Sequence, residues 1–149
     1  MYKSEYLLTK SITEFKAMIT TTTFKVRLLN LLFIVFVLTI MFHLLVLTGV
    51  IPFSGVWGGR LETVEDMYRF EIVSIAINLL VLVVLLQKRR NLLSGKSNKV
   101  INAVLWFFMG LFLLNTLGNL FAESIVERFL ATPLTLFISV SIYLINRKK

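Results

Sequence analysis

Apolar side chains run almost unbroken through residues 28–50, 70–87, 100–122 and 129–146, and polar and charged residues gather between those stretches. Each stretch is 18 to 23 residues long, within the ~17–25 needed to cross hydrocarbon as a helix rising about 1.5 Å per residue. A soluble bundle of equally greasy helices would carry a charged stripe along each of them. Residues 28–50 contain no Asp, Glu, Lys or Arg. The pattern predicts an all-α polytopic membrane protein: one domain over residues 1–149, with four transmembrane helices in an antiparallel bundle.

Local signals refine the boundaries. In the leading segment, residues 1–27, Leu8, Ile12, Phe15 and Ile19 share one helical face, and Ser11 with Glu14 has the form of a capping box. A short amphipathic helix lying on the membrane surface is expected there, with a break in the run Thr20 to Thr23, whose helix propensity is poor. Pro52, Gly55, Gly58 and Gly59 mark irregular backbone after the first span. The Trp57-Gly58-Gly59-Arg60 stretch reads as a turn that could also fold over the bundle as a lid. Trp57, Tyr68 and Phe70 suggest an aromatic belt. Thr63 with Asp66 starts the second helix near Val64, and Ser124 with Glu127 starts the fourth near Ile125. Pro133 should then kink that helix, because fourteen residues from Pro133 to Asn146 are too few to cross alone.

Polar residues inside the spans are the candidate chemistry. Thr39 and His43 share a face of the first span, Glu71, Ser74 and Asn78 of the second, Asn115, Asn119 and Glu123 of the third, and Thr132, Thr135 and Ser139 of the fourth. Gly118 and Ala122 form a small-xxx-small pair that would let helices approach. All four stripes fall toward one end. They predict a polar pocket in the outer half of the bundle, with ligand contacts from Glu71, Asn78, His43, Asn115 and Asn119, and with Arg60 or Arg69 near its mouth. The alternative is interhelical glue, hydrogen bonds of about 0.6–2 kcal/mol each, with Glu71 paired to an arginine.

Charge supplies the sidedness. Thirteen of the sixteen basic residues lie in the leading segment, the middle loop and the tail, whereas Arg60, Arg69 and Arg128 share the other two connections with six acidic residues. Both termini are therefore expected in the cytoplasm, in a cell membrane and most simply a bacterial inner membrane. The net charge of +8 flanks the spans without interleaved aromatics, which favours anionic lipid over nucleic acid as a partner.

The absence of Cys and the single His exclude disulfides, thiolate chemistry and His-rich metal sites. Gly95-Lys96-Ser97 lacks the earlier glycine and the strand of a phosphate-binding loop. No catalytic residue, metal or cofactor is assigned. The leading expectation is a non-enzymatic membrane protein that binds a lipid or small amphiphile, or serves as an accessory subunit, alone or as a homo-oligomer or with a membrane-protein partner. The alternatives are a proton-coupled transporter using Glu71 and a membrane-embedded acid/base enzyme using His43 with Glu71. In size and span count the chain is similar to small multidrug transporters, but the carboxylate those carry in the first span is missing here.

Overall fold

The computed structural model describes residues 6–7, 10–14, 22–57, 61–122, 124–125 and 127–147. Four long helices contain most of them: α1 (Thr22–Leu47), α2 (Val64–Leu93), α3 (Lys99–Leu120) and α4 (Thr132–Asn146). A 3-10 turn, Phe53–Gly55, follows α1, and a π-helical turn, Glu127–Ala131, leads into α4. Counting that turn with α4, all four are long and apolar enough to cross a membrane, so this is a multi-pass membrane protein. Tyr6, Leu7 and residues 10–14 are helical; the other apolar positions of the expected surface helix, Leu8, Phe15 and Ile19, lie outside the described residues.

Hydrogen bonds at the helix ends explain where the boundaries move from those read off hydropathy. Thr63 caps α2 as expected, its hydroxyl accepting from the Asp66 amide. Six residues beyond Gln87 are then added, because α2 ends only where Gly95 turns left-handed at φ +64°. There the Lys96 amide donates to Asn91 O and the Gly95 amide to Leu92 O, the paired bonds of a Schellman stop that glycine permits without a Cβ clash. Gly49, at φ +77°, ends α1 at Leu47 in a related way, three residues before the hydropathic edge. At its other end α1 already includes Thr22 and Thr23, and Thr20 and Thr21 of the same run lie outside the described residues. Asn98 caps α3 by accepting from the amides of Val100 and Ile101.

Pro133 is handled by position. It stands in the first turn of α4, the part of a helix that tolerates proline best, and the chain before it widens into the π turn. The turn and α4 together make 20 residues, about 30 Å of rise and enough to cross hydrocarbon.

All four helices contribute to one apolar core: Leu29, Leu32 and Phe36 from α1, Val81, Val84 and Leu85 from α2, Leu105, Phe108 and Phe112 from α3, and Ile138, Ile142 and Ile145 from α4. Phe36 and Phe112 meet edge to face, with ring centroids 5.7 Å apart. Along α2 the inward stripe runs Met67, Glu71, Ser74, Asn78, Val81, Leu85, Lys88, alternating steps of four and three. This is the spacing that keeps one seam facing its neighbours. The seam is polar at one end, aliphatic in the middle and cationic at the other end. α1 packs most extensively on α2, and α3 on α4.

Candidate functional site at the loop end

Chemistry concentrates where the connection between α1 and α2 folds back over the helices. Val56, Leu61 and Trp57 of that connection pack on Val46 of α1 and Met67 of α2, a second small core that seats the loop. Trp57 adopts a left-handed backbone conformation, φ 57°, which costs a non-glycine residue about 1–3 kcal/mol and survives only where its surroundings impose it. Two contacts do so. The indole Nε1 donates to Glu71 Oε1 at 2.9 Å, and the ring lies 5.0 Å from that of Phe70.

Glu71 has no solvent exposure at all. Its second oxygen, Oε2, lies 2.6 Å from His43 Nδ1, and in the tautomer that carries the proton on Nδ1 the ring donates to it. His43 reaches it because the α1 core stripe of Leu29, Leu32 and Phe36 continues in helical steps through Thr39 to His43, although Thr39 itself bonds back to Val35 O. Both carboxylate oxygens are thus held by donors from different elements, one on α1 and one on the loop. His43 Nε2 has no hydrogen-bond partner among the described residues, and the imidazole keeps 14% of its surface exposed. With Nδ1–H committed to the carboxylate, Nε2 is the atom left to accept or pass a proton.

Beside this trio lies a recess of about 340 Å³ lined by Trp57, Leu61, Asp66 and Phe70. Among the described residues two aromatic rings and one aliphatic side chain form its walls, and Asp66, bonded by the Thr63 hydroxyl at 2.6 Å, contributes a negative charge.

The remaining candidates fall into separate places. Arg69 pairs with Glu65 on the exposed side of α2 at 2.5 Å and is 70% exposed, so the partner of Glu71 is the imidazole and not an arginine. Arg60 lies outside the described residues, as do Gly58 and Gly59. Asn78 is buried, but its Nδ2 donates to Ser74 O within its own helix. On α3 the inward stripe of Leu105, Phe108 and Phe112 continues to Thr116, one residue past Asn115. Asn115 therefore points about 100° away and is exposed. The Thr116 hydroxyl donates to Thr135 Oγ1 at 3.0 Å and Asn119 Nδ2 reaches the same oxygen at 3.5 Å, while Ser139 donates to Met109 O. These contacts join α3 to α4, with no hydrogen bond to the Glu71 group. Gly118 is exposed and a Cβ there would meet nothing within 4 Å, so it does not mediate a close helix approach in this chain.

Trp57 is the site residue that hydropathy and stripe spacing do not single out, since it sits in irregular backbone. The nearest signal is its place between two glycines in a loop short enough to reach the first turns of α2. As to metals, His43 and Glu71 are ligand-type side chains, but no group of three His, Cys, Asp or Glu converges among the described residues. No family model, curated protein or solved structure matches the chain. The site must therefore be read from its own chemistry.

Proposed function

We propose that this protein is a non-enzymatic membrane protein that binds a lipid or small amphiphile at the loop end, by itself or as an accessory subunit of a membrane complex. In this reading the four helices form an antiparallel bundle with both termini in the cytoplasm, and residues 1–27 include a helix on the inner membrane surface. The loop end then faces outward. The antiparallel order is supported by hydrogen bonds between the start of α1 and the end of α4, Lys25 Nζ to Arg147 O, and between the end of α2 and the start of α3, Lys88 Nζ to Asn102 Oδ1.

The observation that carries the reading is the buried Glu71 carboxylate shared between His43 and the Trp57 indole. Neutral groups suffice to join two helices, as Thr116 and Thr135 do for α3 and α4, and burying an ionisable group is costly. Placing that group where it latches a loop beside an open, aromatic-walled recess favours ligand binding over simple adhesion. Asp66 on the recess wall suits an amphiphile whose head donates hydrogen bonds or carries positive charge, with the rings of Trp57 and Phe70 against its apolar part.

Native mass spectrometry of the protein released from nanodiscs tests this. A stoichiometric amphiphile should accompany the wild-type chain and be lost from Trp57→Ala, which removes a wall of the recess. Retention of the same molecule by that variant, or its absence from the wild type, defeats the proposal.

One feature favours a second reading. An imidazole oriented by a carboxylate through Nδ1, with Nε2 unengaged, is the arrangement a proton acceptor needs. A proton-coupled transporter using Glu71, or an acid/base enzyme using His43, would draw on it. Flux that collapses with the proton gradient, or turnover that vanishes in His43→Gln with ligand affinity kept, would favour this reading over binding alone.

A further inference from the structure

The opposite end of the helices carries a second, unrelated cluster. A cavity of about 170 Å³ there is lined by Lys25, Lys88, Lys96 and Arg147 together with the carboxamides of Asn91, Asn98, Asn102 and Asn146. Among the described residues no carboxylate lines it. We propose that this cavity is a binding site for a phosphate-bearing anion, either a free phosphate compound or the head group of an anionic phospholipid.

Three observations converge on that ligand. First, four cationic side chains line a space of roughly five or six water volumes, a concentration of positive charge that favours an anion. Second, the donors are preorganised. The Lys88 ammonium is buried and donates to Asn102 Oδ1 at 2.6 Å and Asn146 Oδ1 at 3.0 Å, while Asn146 Nδ2 is anchored to Asn102 O. An ammonium has three hydrogens, so Lys88 is held in place with one to spare. Lys25 is tied by its bond to Arg147 O. Third, two buried nitrogens of lining residues, Asn91 Nδ2 and Arg147 Nε, have no hydrogen-bond partner. Buried polar atoms are almost always satisfied, both of these are donors on residues that line the cavity, and a rotation of either side chain toward it would let an anion complete them. The same cavity borders the capped start of α3 at Asn98, where the helix dipole adds positive potential. A phosphate offers several acceptor oxygens to such a set, and a cavity of about 170 Å³ has room for the group.

The site is independent of the loop-end reading and stands or falls separately. The test uses the full chain in a maltoside micelle, which contains no phosphate, and reads the thermal unfolding midpoint against added ligand. Inorganic phosphate is compared with potassium chloride at equal ionic strength, and phosphatidylglycerol with a neutral galactosyl diacylglycerol. The expected result is a saturable rise with a phosphate source beyond its control. In the double variant Lys96→Gln/Arg147→Gln the half-saturating concentration should rise about tenfold or more, for the loss of two charged donors. Lys88 is left intact because it bridges α2 to α3 and α4. A response to inorganic phosphate identifies a free anion as sufficient, and a response to phosphatidylglycerol alone identifies the lipid head group. Responses no larger than the controls, or an undiminished response in the double variant, overturn the proposal. Glu71→Gln should respond as the wild type does, which keeps this outcome separate from that of the loop end.

Discussion

At the scale of single residues, Glu71 is where a change of one atom and a change of several should differ most. Glutamine keeps an oxygen for the Trp57 indole and offers an amide N–H to His43 Nδ1 in its other tautomer, so both hydrogen bonds of the trio can persist. Alanine strands both donors. Glu71→Gln is therefore expected to unfold within about 1 kcal/mol of the wild type, and Glu71→Ala to lose about 2 kcal/mol or more, since a buried donor left without an acceptor costs about 1–3 kcal/mol. Reversible unfolding of the three proteins in one detergent measures the difference, and equal loss in both variants would show that charge, and not hydrogen bonding, holds the trio together. Glu71 and His43 were visible in the sequence as ionisable groups inside spans. Their pairing was not, because residue spacing fixes which face of a helix a side chain occupies but not the rotation of one helix against another. The indole was harder still: its position depends on a left-handed backbone at Trp57 that no periodicity describes.

Helix ends and helix faces give the next set of expectations. Two glycines with opposite roles separate them. Gly95 needs its left-handed conformation to stop α2, so Gly95→Ala should cost about 1 kcal/mol. Gly118 is helical with open space where a Cβ would go, so Gly118→Ala should be neutral or stabilising by up to about 1 kcal/mol. Thermal denaturation of both in parallel checks the contrast, and a destabilising Gly118→Ala would reveal a surface buried by another subunit. The stripes on α1, α2 and α4 were legible because their polar members continue the apolar seam in steps of three and four. On α3, Asn115 and Asn119 fit that rule equally well, and only the packing shows that the seam turns through Thr116. The end of α2 was misplaced because hydropathy falls at Lys88, whereas the hydrogen bonds continue to a glycine seven residues later. Length, apolarity and the Thr63 cap thus come through in sequence; the phase of a face and the stop of a helix in water do not.

For the molecule as a whole, sidedness is the property on which the proposed function depends, and a chain without cysteine makes it simple to measure. Ser54 and Ser94 are both exposed, in the connections that follow α1 and α2. A membrane-impermeant maleimide added to intact cells should label Ser54→Cys and spare Ser94→Cys, which should react only after the membrane is opened. The reverse pattern would place the basic cavity outside and the Trp57 recess inside. The two ends also divide the work of the fold: twelve buried apolar side chains in the shared core separate the Glu71 group from the Lys88 group, so substitutions at one end should add to those at the other with little coupling.

The Trp57 contact also gives this molecule a built-in optical signal. The chain has two tryptophans, and the other, Trp106, stacks edge to face against Tyr143 at a ring separation of 5.8 Å. With Trp106→Phe in the background, all indole emission would come from the ring that donates to Glu71. Loss of that carboxylate in Glu71→Ala should shift the emission maximum and make the fluorophore easier to quench with iodide, and an amphiphile entering the recess should reverse the change in quenching. Opening of the loop could then be followed in real time as a change of colour, without a label and without knowing the ligand beforehand.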